Sequence, residues 1–328
     1  MGITTKDLAQ LCGVSRTTVH RALSGVGRIN PDTKELILRT AKEHDYRPDL
    51  LARGLVKGRT YNIGIVVLDV ENRYFAEMLG VIGAEMNRRG YCMNIMLHGD
   101  DRELEQKQLM RLAAYHVDGL IVSSVNEGEE YREFLTGLGV PVVSVDNRIA
   151  DGIPFVGIDQ RAAMREVTGR VLEREYERVV YVCPPLAAKG IRNVSVHEER
   201  LVGFYEACGA CPQIQTVCLN DWSYLEHVKE QLADGKRTAF LCTADSFALE
   251  IMKRLRADGL EAPRDYGITG FDNIDTLEYV SPRLMTVSNS VGAVATAAVG
   301  LLFELMESGA TDGRSVILPH EIVAGETV

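Results

Sequence analysis

The chain has 328 residues, 46% apolar and 25% charged, enough for two or three domains around a large buried core. No apolar run approaches the roughly 20 residues of a membrane helix, and Met1-Gly2-Ile3-Thr4-Thr5-Lys6-Asp7 has no apolar export signal. A cytoplasmic protein with no membrane partner is therefore expected. The net charge of −10 argues against nucleic acid until its distribution is read: residues 1–60 carry 11 Lys/Arg against 6 Asp/Glu, and the remainder 25 against 40. A small basic head on a large acidic body suits a DNA-binding head.

In the head, Thr4 or Thr5 is placed to cap a helix through about Leu11. Cys12-Gly13-Val14 reads as a tight turn, with Gly13 free to take positive φ. Ser15 caps a second helix, Arg16 to Leu23, which ends at Ser24-Gly25-Val26-Gly27. Asn30-Pro31, a cap followed by proline at the first helical position, opens a third helix to about His44. Leu36, Ile37 and Ala41 are its apolar face, expected to pack on Leu8, Leu11, Val14, Val19 and Leu23. Residues 49–56 suggest a short helix and 57–60 a joint. Eight residues are too few for a stable isolated helix, and Gly54 weakens it by about 1 kcal/mol relative to alanine, so it should order only against a partner.

From Asn62 strands alternate with helices: strand 63–68, helix 75–89, strand 91–97, helix 103–115, strand 119–122, helix 129–138 and strand 140–145. The alternation restarts at Phe155-Val156-Gly157-Ile158, with strands near 179–182, 214–219, 239–242 and 266–269. Helices fall at about 160–174, 197–208, 223–233 and 245–257. Two successive series predict two lobes, each a parallel doubly wound sheet, with a ligand cleft beyond the carboxyl ends of the strands.

The head resembles the lactose-repressor (LacI/GalR-type) family. The residues that carry the likeness are Thr4-Thr5-Lys6-Asp7-Leu8-Ala9, Gly13-Val14-Ser15-Arg16-Thr17-Thr18-Val19, Arg21-Ala22-Leu23-Ser24-Gly25, Tyr46-Arg47-Pro48, Ala52-Arg53-Gly54-Leu55 and Gly58-Arg59-Thr60. In the body Ile63-Gly64-Ile65-Val66-Val67, Tyr74-Phe75-Ala76-Glu77, Val117-Asp118-Gly119-Leu120-Ile121-Val122, Pro141-Val142-Val143-Ser144, Arg200-Leu201-Val202-Gly203-Phe204 and Gly270-Phe271-Asp272-Asn273 continue it. The resemblance implies an all-α helix-turn-helix head with a hinge helix (1–60, hinge about 48–60). It also implies a periplasmic-binding-protein-like two-lobed core (61–328), effector-binding and dimerising. One lobe is expected at about 61–158 and 288–316, the other at about 159–287 and 317–328. A homodimer on near-palindromic double-stranded DNA follows, most simply a repressor, with a hinge helix in the minor groove and a small effector between the lobes.

By the same resemblance Arg16, Thr17 and Arg21 read bases. Arginine can grip guanine bidentately and threonine can touch a thymine methyl; contact with phosphate alone is the alternative. His20 is either a phosphate or base contact or a solvated bystander. Ser15 is a helix cap and then a phosphate donor, and Thr5 joins it as a DNA-contact candidate. Leu55 matches the leucine that wedges between central base pairs, and Arg53 and Lys57 (with Arg59) can meet phosphates. Gly54 stands where the family often has serine. Around the cleft the resemblance places Tyr74, Phe75, Asp146, Asn147, Arg192, Trp222, Asp245 and Asp272, types suited to a small polar ring such as a carbohydrate. Trp222 could instead fill core, Asp272 cap a turn and Asp245 cap the next helix. Residues 184–194 exceed the family's usual loop, so Lys189 competes with Arg192 as the cation. Arg73 favours an acidic effector or is a surface charge.

No nucleophile elbow, phosphate-binding loop or paired-histidine helix is present, so neither catalysis nor a cofactor is expected. Gly25-Val26-Gly27-Arg28-Ile29-Asn30 imitates a dinucleotide fingerprint but follows a helix. Cys208-Gly209-Ala210-Cys211 has metal spacing without four clear ligands, so no metal is expected; with seven scattered cysteines, reduced thiols are the simple reading. A two-lobed solute-binding protein is the rival, disfavoured by the basic head; a regulator with a ligand-free cleft is another.

Overall fold

The computed structural model describes residues 3–46, 54, 58–186, 192–309 and 313–328. The chain divides into two units, Met1–Thr60 and Tyr61–Val328. The first contains α1 (Thr5–Leu11), α2 (Arg16–Ser24) and α3 (Pro31–Glu43). Thr4 caps α1 in a capping box: Asp7 N donates to Thr4 Oγ1 at 3.3 Å, and Thr4 N donates back to Asp7 Oδ2 at 2.8 Å. Ser15 Oγ accepts from Thr18 N at 3.1 Å to start α2, which ends on left-handed Gly25. Leu8, Ala9, Val19, Ala22, Ile37 and Ala41 form the small core. Two residues expected there lie outside it: Leu11 is 55% and Leu36 36% exposed. Ile37 and Ala41, four apart, already complete the stripe α3 turns inward, and Leu36 sits a helical step off it.

The second unit runs β1 (Asn62–Val67), α4 (Arg73–Arg88), β2 (Cys92–Leu97), α5 (Arg102–Ala114), β3 (Gly119–Val122), α6 (Glu129–Gly137), β4 (Val142–Val145), β5 (Phe155–Ile158), α7 (Gln160–Leu172), β6 (Arg178–Val182) and α8 (Ser195–Gly209). It continues through β7 (Gln215–Leu219), α9 (Tyr224–His227), β8 (Thr238–Cys242), α10 (Asp245–Arg256), β9 (Gly267–Thr269), β10 (Thr286–Ser288), α11 (Val291–Ser308), β11 (Ser315–Leu318) and β12 (Glu321–Val323). The first lobe is built on a six-stranded sheet, β11-β5-β4-β3-β1-β2, parallel throughout. The second holds the parallel sheet β7-β6-β8-β9, and β10 and β12 pair antiparallel beside it.

Three sequence expectations change. The strand Phe155–Ile158, at which the alternation restarts, does not open the second sheet: it pairs with β4 and β11 in the first, within the bounds the resemblance gave that lobe, because a short apolar run shows that a strand is buried but not which sheet receives it. The first lobe also keeps β11 through Leu318, beyond the expected switch near 317. The helix expected over 223–233 is four residues, followed by one 3-10 turn at Glu230–Leu232. The 18-residue α11 went unrecognised, although Val294, Ala295, Ala298, Val299 and Leu302 repeat at helical spacing. By length and composition α11 could span a membrane; here those residues are buried in the first-lobe core.

Helices α7 and α8 pack closely at Gly203. A Cβ there would lie 2.2 Å from the Arg161 carbonyl oxygen and 3.1 Å from Arg165 N. Alanine's helix propensity favours Gly203→Ala by roughly 1 kcal/mol, but a clash with backbone cannot be relieved by a rotamer. Forced separation of the helices costs about 1–3 kcal/mol or more, so the clash dominates. Gly203→Ala is expected to lower the thermal unfolding midpoint; an unchanged or raised midpoint would contradict this packing.

Candidate DNA-reading surface and effector cleft

On α2 the side chains of Arg16, Thr17, His20 and Arg21 are exposed while Val19 and Ala22 are buried. At 3.6 residues per turn the four exposed positions fall within an arc of about 140° opposite the core. Among the described residues neither Arg16 nor Arg21 pairs with a carboxylate, so this face offers two uncompensated cations. Ser15 spends its oxygen on the cap, shared with Thr18 Oγ1 at 2.8 Å, and Thr5 is half-buried in the first turn of α1. The expectations for Arg53, Leu55 and Lys57 fall outside the described residues.

Between the lobes of the second unit lies a cavity of about 170 Å³. Seven of the expected cleft residues line it: Tyr74, Phe75, Asp146, Asn147, Arg192, Trp222 and Asp272. Tyr74 and Phe75 come from the first turn of α4, where the Asn72 side chain accepts from Tyr74 N at 3.0 Å; their rings meet edge to face, centroids 5.1 Å apart. Trp222 is no core filler: it is 63% exposed, edge-on to Phe247.

Asp245 does not line the cavity. It is fully buried in the first turn of α10, and its carboxylate accepts from Thr286 Oγ1 at 2.5 Å and Ile274 N at 2.9 Å. Nor does it cap α10, whose N-cap is Ala244; it ties three strand ends of the second lobe together. Burial, partly offset by those hydrogen bonds, pushes its carboxyl up to about 7.

Asn147 lines the cavity, but its amide is fully engaged. Nδ2 donates to the carbonyls of Ser124 (3.3 Å) and Asn193 (3.4 Å), and Oδ1 accepts from Ser195 Oγ and Val196 N, both at 3.2 Å. That is the full capacity of the group, so Asn147 joins the lobes rather than waiting for a ligand. Arg192 pairs with Asp100 across the cleft, and Arg73 with Asp275.

The cation at the centre is Arg200 of α8, not singled out as a site residue. It is 3% exposed and lines the cavity, its guanidinium carbon 3.6 Å from the Phe271 ring centroid. Nε donates to Gln160 Oε1 at 2.8 Å, Nη1 donates to the Thr243 carbonyl, and Nη2 is 3.8 Å from Asp272. Its signal was present: an arginine otherwise on the buried face of an apolar helix. Burial raises the carboxyl of Asp146, and burial followed by neighbouring Asp245 and Asp146 raises that of Asp272 well above the usual range, with Arg200 opposing both shifts. Asp146 (φ 62°) and Asp272 (φ 108°) hold positive φ without being glycine, the kind of strain that collects at functional sites. Burial pushes His197 down to about 3, so it is neutral. His197 Nδ1 and Thr243 Oγ1 face this region buried and without a protein partner.

The first-lobe wall rests on buried Glu105, which accepts from Ser124 Oγ (2.6 Å), Val125 N (2.7 Å), Asn126 Nδ2 (3.2 Å) and Tyr131 Oη. The segment so held meets Asn193 of the second lobe. Asn193 N donates to the Val125 carbonyl at 2.8 Å, and its Nδ2 donates to the Asn126 carbonyl at 3.3 Å and the Arg148 carbonyl at 2.7 Å. Elsewhere, Cys208 and Cys211 are free thiols at the end of α8, and among the described residues no group of three or more His, Cys, Asp or Glu is arranged for a metal.

An exposed cationic recognition helix joined to a two-lobed α/β core with a polar inter-lobe cleft defines a ligand-responsive DNA-binding regulator. Residues 4–49 match the family model for bacterial regulatory proteins of the lacI family, and residues 168–328 match that for a periplasmic binding protein-like domain. The chain thus joins a lacI-family DNA-binding head to a periplasmic binding protein-like domain. It is 29% identical to catabolite control protein A of Priestia megaterium over 332 residues, 98% of each chain. Its fold superposes on the Lac repressor dimer bound to operator and the anti-inducer ONPF (TM-score 0.84, 20% identity, 100% of this chain and 99% of that one). It also superposes on the transcriptional regulator CelR–cellobiose complex (TM-score 0.70, 23% identity, 99% and 100%).

Asn193→Ala would take the Nδ2 donor from the carbonyls of Arg148 and of Asn126, the latter keeping Ser124 Oγ at 2.8 Å, a loss of about 1–3 kcal/mol. Amide exchange across 192–197 and 123–126 should accelerate together, and acceleration in neither segment would contradict the inter-lobe tie. Asp245 supplies a pH signature. Its folded-state pKa of about 7 lies above the ordinary carboxyl value, so between about pH 4 and 7 the folded chain holds a proton the unfolded chain has lost. Stability should fall as pH rises through that window, and urea midpoints across it should fall less steeply in Asp245→Asn. Equal slopes would contradict the assignment.

Proposed function

We propose that the chain is a cytoplasmic, non-catalytic repressor. It acts as a homodimer on a near-palindromic operator, and a small hydroxylated molecule, a sugar or sugar derivative, in the cleft changes operator affinity. The observation that carries the reading is the α2 face, Arg16, Thr17, His20 and Arg21, exposed with both arginines unpaired among the described residues. A recognition helix presents its first turns to base edges in the major groove. The operator-bound Lac repressor dimer and the cellobiose-bound CelR, which share the fold, support dimeric operator binding and a carbohydrate effector. A solute carrier would have no use for the head. An abandoned cleft is disfavoured by the partnerless His197 Nδ1 and Thr243 Oγ1, because buried polar atoms without partners cost stability unless something else satisfies them.

Arg16 is assigned to base reading and Thr5 and Ser15 to phosphate. Once the preferred site has been selected from random duplex DNA, Arg16→Ala should weaken binding to it by about 1–3 kcal/mol and relax preference at one position per half-site. Uniform weakening across all sequences, with a shallower salt dependence, would make Arg16 a phosphate contact instead.

A further inference from the structure

Among the described residues, the arginines around the cleft already have partners within the protein. Arg192 pairs with Asp100 and Arg73 with Asp275, each across the lobes. Arg200 is stacked on Phe271, donates to Gln160 and to the Thr243 carbonyl, and lies 3.8 Å from Asp272. Each of the three thus already faces a carboxylate of the protein. The carboxylates are in the opposite position. Asp272 receives one hydrogen bond, from Asn289 Nδ2 at 3.0 Å, and the more distant Arg200. Asp146 receives a single long one, from Ser123 Oγ at 3.3 Å. Arg148, which shares a neighbouring hollow with Asp146, is turned to Phe155 and Ser315. With buried Asp245 behind, three carboxyls surround one arginine, those of Asp146 and Asp272 half-buried at the cavity wall. The fully buried Thr243 hydroxyl, which lines the same cavity, has no partner either. A half-buried carboxylate with so few donors is stabilised by a proton or a cation.

We propose that the effector carries a protonated amine that binds Asp146, its hydroxyls meeting Asp272 and Thr243 and its ring lying against Tyr74, Phe75 and Trp222. This rests on the small-hydroxylated-effector reading and adds the ligand's charge. It sets aside the acidic effector that Arg73 had suggested. The cavity of about 170 Å³ suits one six-membered ring, since drug-sized ligand sites usually exceed about 300 Å³. The ligand class is therefore a single amino sugar or an amino-bearing ring of similar size.

The test titrates the full-length protein, at neutral pH with reductant, against glucosamine, galactosamine and mannosamine. Their neutral parent hexoses and the matching uronic acids are run in parallel by calorimetry. At least one amine should bind roughly tenfold or more tighter than its neutral parent, the margin of one charge-assisted hydrogen bond, and its uronic acid should bind weakest. Asp146→Asn, a residue type that tolerates the positive φ here, should erase the amine preference, so that on the variant the amine binds no tighter than its neutral parent. A neutral sugar or uronic acid binding as tightly as its amine overturns the amine assignment and leaves a sugar-responsive cleft standing. No binding by any member overturns both.

Discussion

A buried guanidinium fixes the centre of this molecule. Arg200 sits where the second-lobe sheet, α7 and the first-lobe wall converge, with Phe271 beneath it and Asp272 beside it. A charge taken out of water needs compensation, and Asp146, Asp245 and Asp272 together exceed what one arginine supplies. Burial raises all three carboxyls, and for Asp272 the neighbouring Asp245 and Asp146 add to the shift. The site is therefore electrostatically unfinished, and an unfinished site gives a ligand a reason to favour the closed lobes over open ones. That differential affinity is what any ligand-driven population shift requires.

The lobes have contacts of their own as well. Asn193 and Asn147 join them through saturated amides, braced by Glu105. The Arg73–Asp275 pair, more than half exposed on both sides, adds little. Closure is thus partly built into the chain, and a ligand need only tip a balance the asparagines have set. A coupling of 1–3 kcal/mol, typical of allosteric proteins, lies within reach of one or two hydrogen bonds to Asp146 and Asp272.

Much of the fold could be read locally. Thr4, Ser15, Gly25 and Asn30-Pro31 begin and end helices where their backbone chemistry requires, and the apolar runs of β1, β3, β4 and β8 mark buried strands. Which sheet Phe155–Ile158 joins was not legible in the strand–helix alternation and came only with the lobe bounds of the resemblance, because strand partners 11 and 160 residues away leave no trace in a local pattern. The cleft divided in the same way. Aromatic and carboxylate positions that follow strand ends or open helices, such as Tyr74, Asp146 and Asp272, came through from motif and resemblance. Asp245 and Asn147 did not behave as their types suggested, because hydrogen bonds from distant Thr286 and Ser195 had already claimed them. Arg192 came from the resemblance with Lys189 as its rival, and Arg200, quoted only within the motif Arg200-Leu201-Val202-Gly203-Phe204, was not weighed.

The most direct measurement of the central claim is reciprocal linkage in the full-length protein: operator affinity with and without a saturating cleft ligand, and affinity for that ligand with and without operator. If effector and operator act on one lobe-closure equilibrium, both ratios must depart from unity by the same factor. A ligand that binds the cleft tightly yet leaves operator affinity unchanged, with the reverse ratio also at unity, would contradict it.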